Sequence, residues 1–335
     1  MTKKTRIFLF GSAAFVVLGL TVGLVGYYGG LSGIAFTQAP GPEGLQYIPR
    51  DAAVVAYANV QAVMQSTFRQ KMKQLEPAGG EQGRQELRDA LGIDIETDLT
   101  HVVACMLPGE GKPGKNGLII AVGRFDQTRI EAFIREKGAT LESYKGTNVW
   151  THQSVDATAA AQHISPALAF LKPGVVAMGT VAAVQRAIDL PSQPGESVVD
   201  SSDMMPQIRR LEGGNVWAVG RWDALASSAK LPQQVASQMP AISWFAASGT
   251  INGGVSGTVK VVARDEEAAN NLRQVALGFM ALAKMQVDSK PELKNVLNLI
   301  QLGGQGTEVS LTFTVPLEML DLLASKKTAK DSTTR

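Results

Sequence analysis

The sequence predicts an α+β fold, with helices packed on mixed or antiparallel sheets. Three observations carry that expectation. Short apolar runs with strand character are followed again and again by amphipathic helical stretches. Several runs are joined by turn signals such as Asn252-Gly253, and a hairpin requires antiparallel neighbours. Near the end of the chain Val309, Leu311, Phe313 and Val315 alternate with Ser310, Thr312 and Thr314, which is the period of a half-buried strand. A doubly wound parallel sheet would need a crossover at every connection, so the hairpins favour α+β.

The chain of 335 residues opens with a basic stretch, residues 1–6, holding Lys3, Lys4 and Arg6. Residues 7–28 follow without a charge, and about 20 helical residues cross a bilayer core. We read them as a transmembrane helix whose basic flank stays inside, which places the bulk of the chain outside the cytoplasm, in the periplasm of a bacterium. A cleaved signal peptide is the alternative; its apolar core is usually about 7–15 residues, and this run is longer. Gly19 with Gly23, and Gly26 with Gly30, form two small-residue pairs of the kind that lets membrane helices associate. Residues 29–46, rich in Gly and Pro, read as a tether, and residues 325–335 as a disordered polar tail.

Between tether and tail the strands and helices come in order. Val54–Ala58 is a strand, and one helix is expected after it with Val60, Val63, Phe68, Met72 and Leu75 on one face. Val102–Met106 and Leu118–Val122 are strands. Asp126 is placed to cap a helix carrying Ile130, Phe133 and Ile134, which Gly138 stops. A strand is expected within residues 147–152. A hairpin spans residues 167–178, and Thr180 caps a helix with Val181, Val184 and Ile188 inward. Val216–Val219 leads through Asp223 into a short helix. A strand over residues 257–262 precedes a long helix with Leu272, Val275, Ala276, Phe279 and Leu282 inward. A further helix is expected from Pro291, with Ile300 inward and Gly303-Gly304 as its end; Pro316 is expected to open the last helix.

The units look duplicated, giving halves 47–195 and 196–324. Residues 54–66 align with 216–228, and residues 117–129 with 257–269. The strand at 147–152 then corresponds to the one at 308–315. A rival register matches residues 122–126, VGRFD, to 219–223, VGRWD.

Chemistry is sparse. Residues 107–117, LPGEGKPGKNG, come close to a phosphate-binding loop through Gly109, Gly114 and Lys115. Such a loop needs a helix at once and a hydroxyl after the Lys; here Asn116 and an apolar strand follow, so a hairpin is expected and no nucleotide. Cys105 is the one cysteine and sits in an apolar run, which suits a buried, inert thiol. His101, His152 and His163, the latter two bracketing Asp156, lack metal-ligand spacing. Asp94, Glu96 and Asp98, like Glu266 and Glu267, read as capping or solvated carboxylates. Arg124 and Arg221 recur before Asp126 and Asp223 and read as braces at strand-to-helix junctions. We therefore assign no catalytic, cofactor or metal residues. Of 32 basic residues, three precede the apolar run, which leaves 29 against 30 acidic ones and no basic field for nucleic acid.

Residues 46–72, 117–150 and 171–189 resemble bacterial membrane-anchored proteins of a domain-of-unknown-function family with members in Acidobacteria and similar phyla. The resemblance implies a location and an architecture and brings no catalytic residues. Three functions are expected in falling order: a non-catalytic envelope protein that binds a protein partner or itself, a carrier of an apolar ligand such as a lipid, and an envelope hydrolase.

Overall fold

The structure is a computed structural model describing residues 42–73, 85, 88–108, 116–152, 165–211, 213–223, 242–287 and 299–317. Twelve strands form one sheet: β1 Val54–Ala58, β2 Leu99–Met106, β3 Gly117–Gly123, β4 Thr140–Tyr144, β5 Thr147–Thr151, β6 Pro166–Lys172, β7 Val175–Thr180, β8 Val216–Arg221, β9 Ile242–Ile251, β10 Gly254–Ala263, β11 Ile300–Gly303 and β12 Glu308–Pro316. Their order is β11-β12-β10-β9-β8-β1-β2-β3-β7-β6-β5-β4, and each neighbouring pair is antiparallel. The helices are α1 Val60–Met64, α2 Thr67–Lys73, α3 Gln127–Glu136, α4 Val181–Asp189, α5 Met204–Arg209 and α6 Glu266–Val287. The expected α+β class is thus present, built on one large antiparallel sheet.

The sheet is arranged about its middle. Ala56 of β1 faces Ala218 of β8. From Ala56 one row runs outward through Ala104, Ile119, Met178 and Leu168. From Ala218 the other runs through Ala247, Val259, Leu311 and Leu302. Both rows are apolar, and their sizes match step by step. The irregularity of β2 between Leu99 and His101 also recurs in β9 between Ile242 and Trp244. These pairings place Val54 opposite in role to Val216 and Gly117 to Gly257, the first of the two alignments read from the sequence. The rival register is not the one the strands adopt.

One correspondence differs from expectation. The place of β12, beside β10, is taken in the first half by β7 rather than by the strand at 147–152. The hairpin β4–β5 thus has no equivalent at the other end of the sheet, while β6–β7 takes the place there held by β11–β12. No local pattern distinguishes these choices, because each segment is a short apolar run beside a turn.

The front face of the sheet carries the main core. Val55, Val103, Cys105, Leu118, Ile120, Ala177, Trp217 and Val219 face Ala183, Val184 and Ala187 of α4, Met204, Met205 and Ile208 of α5, and Leu45, Tyr47 and Ile48. Removing such side chains from water contributes about 1.5–3 kcal/mol each for Val, Leu, Ile or Met. The last three residues form a strap. Ser197 Oγ donates to Leu45 O at 3.1 Å, Val198 N to Ile48 O at 2.8 Å, and Lys172 pairs with Glu43 at 2.7 Å. Gly44 lies at φ 112°, and a Cβ there would meet Val103 and Ile120 at 3.2 and 3.3 Å, so the strap needs glycine at this point. Gly44 and Leu45, read from the sequence as the end of the tether, are therefore buried against the core.

The back face is covered in parts. Val63, Phe68 and half-buried Val60 pack on Ala58, Val216, Ile251 and Val255. Val60 and Phe125 also lie over Val102, Ala104, Ile119 and Ala121. Farther out, across β9, β10 and β12, the front face carries a polar row instead: Ser248, Thr258 and Thr312 are cross-strand neighbours, with the Thr258 and Thr312 hydroxyls 3.5 Å apart. An antiparallel sheet tolerates a solvated face in this way.

The capping expectations hold: Asp126 accepts from Arg129 N, Thr180 accepts from Ala183 N, and Gly138 takes φ 87° at the end of α3. Other expectations need correction. The helix expected from Val60 is broken into α1 and α2, because Ser66 bonds Val63 O and caps Arg69 N. Ile300, expected in a helix, and Gly303, expected at its end, lie in β11, where Ile300 pairs with Phe313. Pro316 is the last residue of β12, opposite Gly254, and Leu317 directly after it is helical, so the helix expected to open at Pro316 begins one residue later. Residues 7–28 with Gly19, Gly23, Gly26 and Gly30, the tail 325–335, and residues 291–298 lie outside the described residues. Among the described residues no helix is long and apolar enough to cross a membrane.

Candidate interaction surface

Several of the polar residues singled out in the sequence have partners within the fold. Asp94, Glu96 and Asp98 pair with Arg88, Arg69 and Arg124 at 3.3, 3.3 and 3.0 Å, which ties α2 and the start of α3 to the loop before β2. Arg124 also donates to Thr97 O, and Arg221 pairs with Asp203 at 2.9 Å while lying 5.8 Å from the Trp244 ring centre. The two arginines, each beside a strand end, thus take unlike partners. The Ser201 hydroxyl and the Arg221 guanidinium hold the Asp203 carboxyl down to about 2.

His101 is buried, with Nε2 2.6 Å from Glu43 O and its ring 5.6 Å from that of Tyr57, which stacks on Trp217. It fastens the strap rather than facing solvent. His152 follows β5, and Asp156 and His163 lie outside the described residues. Cys105 is buried, and desolvation pushes its thiol up to about 12. Among the described residues no group of three His, Cys, Asp or Glu could hold a metal ion.

The near phosphate loop is the connection between β2 and β3. Leu107 N donates to Asn116 O at 2.8 Å, closing the expected hairpin, and the chain enters β3 where a phosphate cradle would need a helix. Asn116 closes the base of the connection, donating to Pro108 O and accepting from Thr180 Oγ1. Residues 109–115 lie outside the described residues.

What the structure leaves unexplained is apolar. Helix α6 is capped by Asp265, which accepts from Ala268 N, and Arg273 donates to the carbonyls of Gly306 and Glu308. Its first turns bury Ala268 and Ala269, with Leu272, against Val261, Val309 and Leu302 of the back face. The spacing i, i+4, i+7, i+11 continues this stripe from Ala268 and Leu272 through Val275 to Phe279. The sequence predicts that the whole stripe faces inward. Instead Val275 is 41% exposed and Phe279 63%, and Leu277 on another side of the helix is 47% exposed. A second open spot lies on the sheet itself. Val259, in the middle of β10 with a strand on either side, is 41% exposed, and Phe245, Leu311 and Phe313 on the same face are half-buried. Its counterpart in the first half, Ile119, is 6% exposed. Sequence reasoning missed both spots, because a stripe looks the same whether or not its cover is present.

No protein-family model matches the chain, nor does the sequence of any curated protein. Among solved structures, crystal form I of TP0453 is similar over 86% of this chain and 98% of that one, at 11% identity and a TM-score of 0.46.

Proposed function

We propose that this protein is a non-catalytic binding protein of the bacterial envelope, held at the cytoplasmic membrane by residues 7–28, with the rest of the chain outside. Its contact surface is the outer part of α6, where Val275 and Phe279 of one stripe meet solvent. The single observation that carries this reading is Phe279, 63% exposed on a stripe whose first half is core. Holding an aromatic ring in water forgoes a stabilisation of about 1.5–3 kcal/mol, and contiguous exposed apolar groups mark sites where another surface docks. The engaged carboxylates and histidines support binding over hydrolysis. The matched rows about Ala56 and Ala218 support an origin of the sheet in two related halves, in keeping with the bacterial family that residues 46–190 resemble.

A second reading, binding of an apolar ligand such as a lipid, draws on the open back-face residues Val259, Leu311 and Phe313 beside the same helix. One experiment separates the two: purification of the native protein in detergent, in parental and Phe279→Glu forms, with mass spectrometry of co-purifying proteins and lipids. A protein lost in the variant supports the first reading. A lipid lost in the variant supports the second. Identical material from both forms refutes the assignment to α6.

A further inference from the structure

The two ends of the sheet are finished differently. At one end β11 is short, runs into Gly303-Gly304, and has Leu302 packed among the residues that α6 covers. At the other end stands β4, Thr140–Tyr144, in a regular register with β5 and without bulge or proline. The turn between them, Lys145-Gly146, has both residues at positive φ, 49° and 81°, which makes it a two-residue type I′ turn. The residues flanking such a turn bond each other, and bonded and unbonded pairs then alternate along the ladder. Thr140, Glu142 and Tyr144 therefore direct their backbone groups to β5, and Leu141 and Ser143 direct theirs outward. Among the described residues nothing bonds those outward N–H and C=O groups. Two side chains of the strand are open as well. Leu141, opposite Trp150 on the back face, is 48% exposed. Glu142, on the front face, accepts from Thr151 Oγ1 at 3.3 Å and has no cationic partner among the described residues.

We propose that β4 is a docking edge for an extended segment of another protein, added antiparallel as a further strand and carrying a basic residue opposite Glu142. Main-chain bonds at Leu141 and Ser143 supply the affinity, as in other strand additions. The segment's residue between them lies opposite Glu142 in an unbonded pair, where side chains come closest, so a lysine or arginine there meets an unpaired carboxylate. The residues beside it fall on the back face next to Leu141, which favours Val, Ile or Leu. Edge strands are ordinarily blunted by proline, a bulge, a cover or extreme shortness, and β4 has none of these. A second copy fits this edge poorly. One antiparallel register sets Glu142 against Glu142 of the copy, like charges directly opposite. The next needs Ala139 of the copy as a donor, and its N–H is already given to Ile134 O at 3.0 Å. The third sets Leu141 against Lys145 of the copy, which lies in the turn. The edge is at the opposite end of the sheet from α6, so the assignment goes beyond the binding reading of α6 and does not depend on it.

The test is fluorescence anisotropy of two labelled peptides with the full-length protein in detergent. Both are short peptides of alternating threonine and valine; one has a central lysine with valine on either side, the other a central glutamate. The lysine peptide should bind, and the glutamate peptide roughly fivefold more weakly, as expected when an attractive cross-strand pair is made repulsive. Glu142→Lys should reverse that order. Ser143→Pro removes an outward N–H and leaves the bonds of β4 to β5 in place, so it should weaken the lysine peptide at least roughly tenfold. Urea unfolding checks that both variants fold, and the reversal by Glu142→Lys decides alone if Ser143→Pro does not. No saturable binding of the lysine peptide overturns the proposal. So does binding that neither the peptide's central charge nor Glu142→Lys alters. A dimer in detergent that Ser143→Pro dissociates, with no peptide bound, would assign the edge to a second copy and overturn it too.

Discussion

Ile120 and Phe279 reverse the order that side-chain size alone would give. Ile120 is 0% exposed in β3, between Val103 and Ala177, and it closes against the strap at Gly44. Ile120→Ala removes three carbons from this layer, and the rigid sheet on one side and the strap on the other allow little collapse. Large-to-small changes of this kind cost about 2–5 kcal/mol, and the two-sided enclosure points to about 3–4. Phe279 is larger but 63% exposed, so Phe279→Ala should change stability by less than about 0.5 kcal/mol. Urea unfolding of the full-length protein in detergent, followed through the buried Trp150 and Trp217, reads the difference. With a slope of about 2–3 kcal/mol per molar, Ile120→Ala should lower the midpoint by about 1–2 M and Phe279→Ala by less than about 0.3 M. A larger shift for Phe279→Ala than for Ile120→Ala would refute the placement of the core on the front face and of Phe279 in solvent.

Three further outcomes follow from the same structure. The folded pKa of Asp203 lies at about 2, below its ordinary 3.8, so its contribution to stability is complete above the ordinary value. That contribution is lost as pH falls through 2, and Asp203→Asn should flatten the acid side of the stability profile between about pH 4 and 2. Cys105, buried and with its thiol at about 12, should stay unlabelled by iodoacetamide at pH 8 in the native protein and react once urea unfolds it; rapid native labelling would contradict its burial. Lys115→Ala should leave membrane fractionation and thermal unfolding unchanged, since the connection it belongs to is read as a hairpin; a loss of partner binding without unfolding would show that the loop has a task of its own.

Much of the sheet was legible because its signals are local. Val54–Ala58 is bounded as the apolar run suggests, Asp126 and Thr180 cap as their positions imply, and Asn252-Gly253 turns β9 into β10. Strand β4 is not legible, since Thr140–Ser143 are exposed on both faces and the strand carries no period-two apolar signal. Ile300 reads as the inward face of the helix expected from Pro291, and only its pairing with Phe313 decides otherwise. The strap at Leu45–Ile48 was hidden by its Gly and Pro neighbours, which read as tether although Gly44 serves close packing. The candidate surface was the least legible part. Leu272, Val275 and Phe279 carry one helical period, and nothing in that period tells which of them the sheet reaches.

The central claim is that the outer face of α6 is where this protein meets something else. The direct measurement is co-purification of the full-length protein from its native membrane, quantified for the parent and for Phe279→Glu, with urea unfolding as the control for fold. The account predicts an associated protein or lipid in defined ratio with the parent, reduced at least roughly tenfold in the variant, which is the effect of placing a charge in a contact that excludes water. Equal recovery from both forms, with both folded, would contradict it.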